Sequence, residues 1–180
     1  MKFVCFLVIA NNRNVPNVQM MEKQRFRAEY RYDYEGKDGM ARLIDSCDHV
    51  FIGEVKAYKD TKYEDKYTFT DSNQKEKTVA NIFTEYDVAV VKDYKNELQI
   101  GSVIPVDKLG GVDEASTCVN VLENDELLKI GHKYLFIVSS AKYEYTACGP
   151  HSTIDLGTME GVEEVDDLSQ LKQCITIDVK

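Results

Sequence analysis

Three histidines, His49, His132 and His151, and five cysteines are the residues of this 180-residue chain with the widest chemical reach. No His-x-x-x-His or Cys-x-x-Cys spacing organises them around a metal. Cys118, Cys148 and His151 have the composition of a zinc site without its spacing, so neither a metal nor a cofactor is expected. Cys148 and His151 would give a thiolate and its base, and a thiol-dependent hydrolase built on them is one reading of the chain, although such a nucleophile also needs an orienting group and a cleft. The same cysteine has a structural use. Cys118 and Cys148 both lie in strand-like segments flanking the run around Tyr134 and are the favoured disulfide pair, with buried free thiols as the alternative. Serine chemistry lacks the Gly-x-Ser-x-Gly elbow around Ser139, Ser140 or Ser152. Gly101, Gly110 and Gly111 are not followed by Gly-Lys-Ser/Thr, so no phosphate loop is present. Acidic clusters at Asp113-Glu114, Glu123 to Glu126 and Glu163 to Asp167 lack the ligand order of a calcium loop and read as solvated. The residue chemistry therefore points to a non-catalytic protein.

The elements that would carry these residues are mostly strands. Met40, Leu43, Ile44 and Cys47 repeat at helical spacing behind Asp38, a candidate cap, and predict a short helix over 39–46. His49 to Ala57 is a strand with Val50 and Ile52 on one side and Phe51, Val55 and Ala57 on the other, interrupted at Gly53 by a bulge or close backbone contact. Residues 59–78 carry many charges and read as an exposed hairpin or loop. Ile82 to Val91 alternates as a long strand. Lys92 to Glu97 is a turn, and Val103 to Leu109 is a strand closed by a Gly110-Gly111 corner. Ser116 to Leu122, Lys133 to Ser139, Tyr143 to Cys148 and Ser152 to Leu156 complete the order of a small closed β-barrel. An acidic connector and a helix over Asp166 to Cys174 follow, with Leu168, Leu171 and Cys174 on one face. Residues 1–29 read as leader and linker, 30–157 as the barrel domain and 158–180 as connector and helix.

Composition bounds the function. A hydrophobic content of 43% and a charged content of 29% describe one ordered globular domain. The net charge of −9 opposes a polyanionic partner, because nucleic-acid affinity rests on neutralising phosphates. No apolar run is long enough for a transmembrane helix. Lys2 followed by Phe3 to Ala10 resembles a short or truncated signal peptide with a cut before Asn11, and a buried N-terminal strand is the alternative. Removing it would leave four cysteines, an even count that suits an oxidising compartment. The protein is thus expected outside the cytoplasm, secreted or in the cell envelope, with a cytoplasmic location as the alternative.

The order helix, strand, polar hairpin, long strand and Gly-Gly corner, then Leu127-Leu-Lys-Ile-Gly-His-Lys-Tyr-Leu-Phe136 and Cys148-Gly-Pro-His-Ser152, resembles a group of uncharacterised small exported proteins of Gram-positive bacteria. Their barrel is similar to the OB-type domain of tissue inhibitors of metalloproteinases. Ser46-Cys-Asp-His-Val-Phe-Ile-Gly-Glu-Val55 and Leu109-Gly-Gly111 are further matching pieces, and the likeness spans about Tyr30 to Leu156. It implies a mainly β, OB-like (TIMP-like) fold. Those inhibitors chelate their target's zinc through an N-terminal cysteine; a cut after Ala10 would instead expose Asn11, so inhibition of that kind is an alternative with no residue carried over. Tyr143 and Tyr145 fall where an OB-type fold places its ligand face. With Lys133 and His151 they form the expected surface of a module that binds a protein or carbohydrate.

Overall fold

The computed structural model describes residues 21–26, 38–70, 72–141, 144–147, 149, 151–158 and 165–174. The apolar run Phe3 to Ala10, Tyr143 and Cys148 lie outside them. The chain is mainly β. In order come β1 (Glu22–Phe26), α1 (Gly39–Ser46), β2 (His49–Thr70), β3 (Glu76–Asp93), β4 (Val103–Leu109), β5 (Gly111–Val112), β6 (Cys118–Leu122), β7 (Lys133–Ala141), β8 (Glu144–Ala147), β9 (Thr153–Asp155), a 3₁₀ turn at Leu156–Thr158 and α2 (Leu168–Cys174).

The larger sheet runs β2-β3-β4-β8-β7-β9, and β2 also pairs with β7. All of these pairs are antiparallel except β4–β8. Side chains alternate across a strand, so a strand with apolar residues at successive positions must find a core on each side. That is the situation of β2 and β7. Val50, Ile52, Leu135 and Ile137 face a core with Met40, Leu43 and Ile44 of α1, Leu171 of α2, Tyr94 and Val165. Phe51, Val55, Tyr134, Phe136 and Val138 face the other, with Tyr86, Val88, Val90 and Val106. Phe51 and Phe136 stack there with centroids 5.0 Å apart. The continuous apolar runs at 50–52 and 134–138 are the sequence trace of this two-sided burial.

Gly53 lies where β2 slips register against β3. A Cβ at that position would sit 2.4 Å from Val88 Cγ1 and 3.0 Å from the Phe51 and Phe136 rings, so bulge and close approach coincide at this residue.

Two expectations are corrected and one is narrowed. Asp38 precedes α1 but makes no side-chain capping bond; its carbonyl accepts the Arg42 N–H instead. Of the hairpin and loop readings of residues 59–78 the structure shows the hairpin: β2 continues to Thr70 and pairs with β3 as far as Glu76, and the charges of its distal part reflect exposure of both faces. Ser116 to Leu122 does not join the larger sheet. Its strand β6 pairs with β5 and, in parallel, with β1, so the segment read as a linker supplies a strand of a second, three-stranded sheet.

Candidate functional site

Polar side chains gather at each end of the apolar side of β2, β4 and β7. At the first end, His49 opens β2 on the same face as Phe51 and Val55, and its register partner on β7 is Val138. Ser140 is two residues beyond Val138, hence on the same face and diagonally across from His49. The Ser140 Oγ lies 3.1 Å from His49 Nε2. The third group comes from the turn after β3. The Asp93 carboxylate accepts the N–H groups of Lys95, Glu97 and Leu98, tying the chain into a compact corner. That corner brings Glu97 Oε2 to 3.1 Å from His49 Nδ1. The approach is close but lacks hydrogen-bond direction, and among the described residues the buried Nδ1 has no hydrogen-bond partner. Tyr145, across from Ser140 on β8, presents its ring to the imidazole at 5.1 Å and 68°. Asp48 Oδ2 accepts the Ser140 N–H at 2.7 Å. His49 is buried, whereas Ser140 is exposed. Hydroxyl, imidazole and carboxylate thus stand in series, open to solvent at the hydroxyl.

At the opposite end, Lys108 follows Val106 on the same face of β4 and is fully buried. Its Nζ donates to Asp125 Oδ2 at 2.6 Å and to the Gly149 carbonyl at 3.2 Å. Ser152 Oγ donates to the same carbonyl at 2.6 Å. A buried ammonium is tolerable only with such partners. Half-buried His151 lies within electrostatic reach. Burial lowers its pKa, Asp125 opposes that, and Lys108 adds to it, so the neutral imidazole is favoured.

A third cluster sits on the outer face of β2, β3 and β4. Lys62 Nζ lies 2.8 Å from both Glu85 Oε2 and Asp107 Oδ2. Burial works against the Lys62 charge, but the two carboxylates outweigh it and raise the pKa. Burial raises the Asp107 pKa despite the opposing pull of Lys62, and among the described residues its buried Oδ1 has no hydrogen-bond partner.

Of the expected surface residues Tyr143 lies outside the described residues, and Lys133, Tyr145 and His151 do not converge. Lys133 opens β7 opposite Glu54, whereas Tyr145 pairs with Ser140, roughly 20 Å away at about 3.3 Å per residue. His151 belongs to the Lys108 end. Of these three, Tyr145 adjoins the His49 cluster, packed half-buried against the core. Cys118, expected to pair with Cys148, is instead a buried free thiol, Cys47 is a half-buried one, and no disulfide is formed among the described residues. Burial raises the Cys47 pKa, with bonds to Ser46 and Ser139 opposing. Among the described residues no group of His, Cys, Asp and Glu is arranged to hold a metal ion. Acidic residues of the first two clusters have partners: Asp113 in the N–H groups of Thr117 and Cys118, Asp125 in Lys108, Glu114 in Lys66 and Glu126 in Lys23. His49 and Ser140 were missed from sequence because 91 residues separate them and no motif links them; only the β2–β7 register does.

No family model matches the chain, and no curated protein matches it in sequence.

Proposed function

We propose that this protein is a binding module of OB-like form, acting outside the cytoplasm on a protein ligand. The OB-like reading is supported by the pairing circuit β2-β3-β4-β8-β7 and back to β2, with one parallel pair, which fits a small five-stranded Greek-key barrel of the kind found in tissue inhibitors of metalloproteinases. Export rests on the apolar run Phe3 to Ala10.

One observation carries the binding reading. β3 meets β4 only from Phe83 onward and β2 meets β7 only as far as Glu54, so among the described residues the distal β2–β3 ribbon has no neighbouring strand beyond about Glu64. On one face of that ribbon Tyr67, Phe69 and Val79 are 61%, 39% and 38% exposed, with the two rings 5.8 Å apart and Val79 opposite Tyr67. Aromatics held out on a ribbon contribute little to the fold and offer a large apolar contact to a partner. In OB-type folds this hairpin is one of the loops that border the ligand face.

A photo-crosslinker placed at residue 72, next to this patch, is the test, applied to the chain in its native source. The same protein should be captured by the wild type and lost in the Tyr67→Ser, Phe69→Ser double variant, which should keep the wild-type thermal midpoint. Capture unaffected by the double variant, or capture of a glycan alone, would sink the protein-ligand reading.

A further inference from the structure

We propose that Ser140 is a nucleophile, with His49 as its base and Glu97 as a positioning residue, and that it accepts acyl groups from small activated carboxylic esters. This goes beyond the binding reading and concerns a different end of the molecule. The 3.1 Å contact from Ser140 Oγ to His49 Nε2 is the reach a general base needs, and the 3.1 Å approach of Glu97 to Nδ1 puts a carboxylate behind the ring. Alignment of such groups commonly tightens only when a substrate is bound. The ring itself is held by burial and by the edge-to-face contact with Tyr145. The nucleophile is on the solvent side, so an ester can reach it.

In the first step the Ser140 oxygen adds to the ester carbonyl carbon while its proton passes to His49 Nε2. The adduct collapses, the alcohol or phenol oxygen leaves with that proton, and Ser140 carries the acyl group as an ester. Hydrolysis runs the same course with water: His49 takes a proton from water, the hydroxide adds to the acyl carbon, and the Ser140 oxygen departs with the proton as the carboxylic acid is released. The amide of a serine nucleophile is a usual donor to the oxyanion, and here it is occupied by Asp48 Oδ2 at 2.7 Å. Asp48 therefore restrains the site, both by holding that N–H and by placing negative charge where the oxyanion would form.

The full chain is mixed with 4-nitrophenyl acetate, nitrophenol release is followed, and the acetylated residue is located by peptide mass mapping. The expected result is a burst of about one nitrophenol per chain with the acetyl group on Ser140. Ser140→Ala, a change at an exposed position, should abolish the burst at an unchanged thermal midpoint. His49→Gln should slow acetylation by about 100-fold or more. Asp48→Ala should speed it by about 10-fold. Glu97→Gln should slow it while Glu97→Asp restores the rate, a split that a structural role would not produce. Acetyl groups found only on lysines or tyrosines of the folded wild type would overturn the proposal, as would a Ser140 rate unchanged in a folded His49→Gln. None of these variants touches the Tyr67 and Phe69 patch, so the two readings fail separately.

Discussion

Lys108 shows how one side chain can be misjudged from its neighbours. In Val106-Asp-Lys-Leu109 it reads as an ordinary strand lysine, yet the inward phase of β4 buries it completely against Asp125. Removing one member of a buried pair leaves the other charge without its ion partner, which costs about 3–5 kcal/mol. Lys108→Met should lose that much in urea denaturation, and Lys108→Met combined with Asp125→Leu should recover most of it. A single variant as stable as the wild type would show that the pair is not seated as described. The strand itself was legible because Val103 to Leu109 is β-rich. The partner was not, since Asp125 lies 17 residues away in a loop that reads as solvated.

The β5–β6 turn and the β2–β3 ribbon are elements whose logic is polar. Asp113 sits at the end of β5 and accepts the N–H of Cys118, the Thr117 hydroxyl and the Thr117 N–H; in that order these bonds hold its carboxyl below the usual carboxylate range. A depressed folded pKa contributes stability that is fully present above the unfolded pKa and is lost as pH falls through the folded value. Asp113→Ala should therefore lower the urea midpoint at pH 7, and the gap to wild type should narrow as the solution is acidified below the carboxylate range. A gap constant with pH would remove the charge from the account. Pattern reading leaves the ribbon as a hairpin or a loop for a related reason. Period-two hydrophobicity reports burial of one face, and from about Glu64 to Thr70 neither face is buried. Its charges and the register shift against β3 between Glu64 and Tyr67 also guard an open strand edge from pairing with another chain.

The whole molecule depends on two cores that share β2 and β7, one of them completed by α2. Leu171 is fully buried and Val165 nearly so, and the Tyr94 hydroxyl donates to the Val165 carbonyl at 3.2 Å. Burying each such side chain is worth about 1.5–3 kcal/mol. A chain ending at residue 164 should thus lose about 3–6 kcal/mol. At about 2–4 °C per kcal/mol for a chain of this size, its thermal midpoint should drop by roughly 6–24 °C. A drop of only a degree or two would mean that α2 is an appendage and that the first core closes without it.

Local pattern alone determined that the chain is mainly β, that a helix spans 39–46 and another ends near Cys174, and which residues of β2 face opposite ways. Those features depend on spacing within a few residues, where period and propensity act. Only the tertiary structure decided which strands pair, that β6 leaves the larger sheet to join β1 and β5, that Lys108 turns inward, and that Ser140 meets His49. These depend on register between segments tens of residues apart, and a shift of one residue would turn each of these side chains to the opposite face.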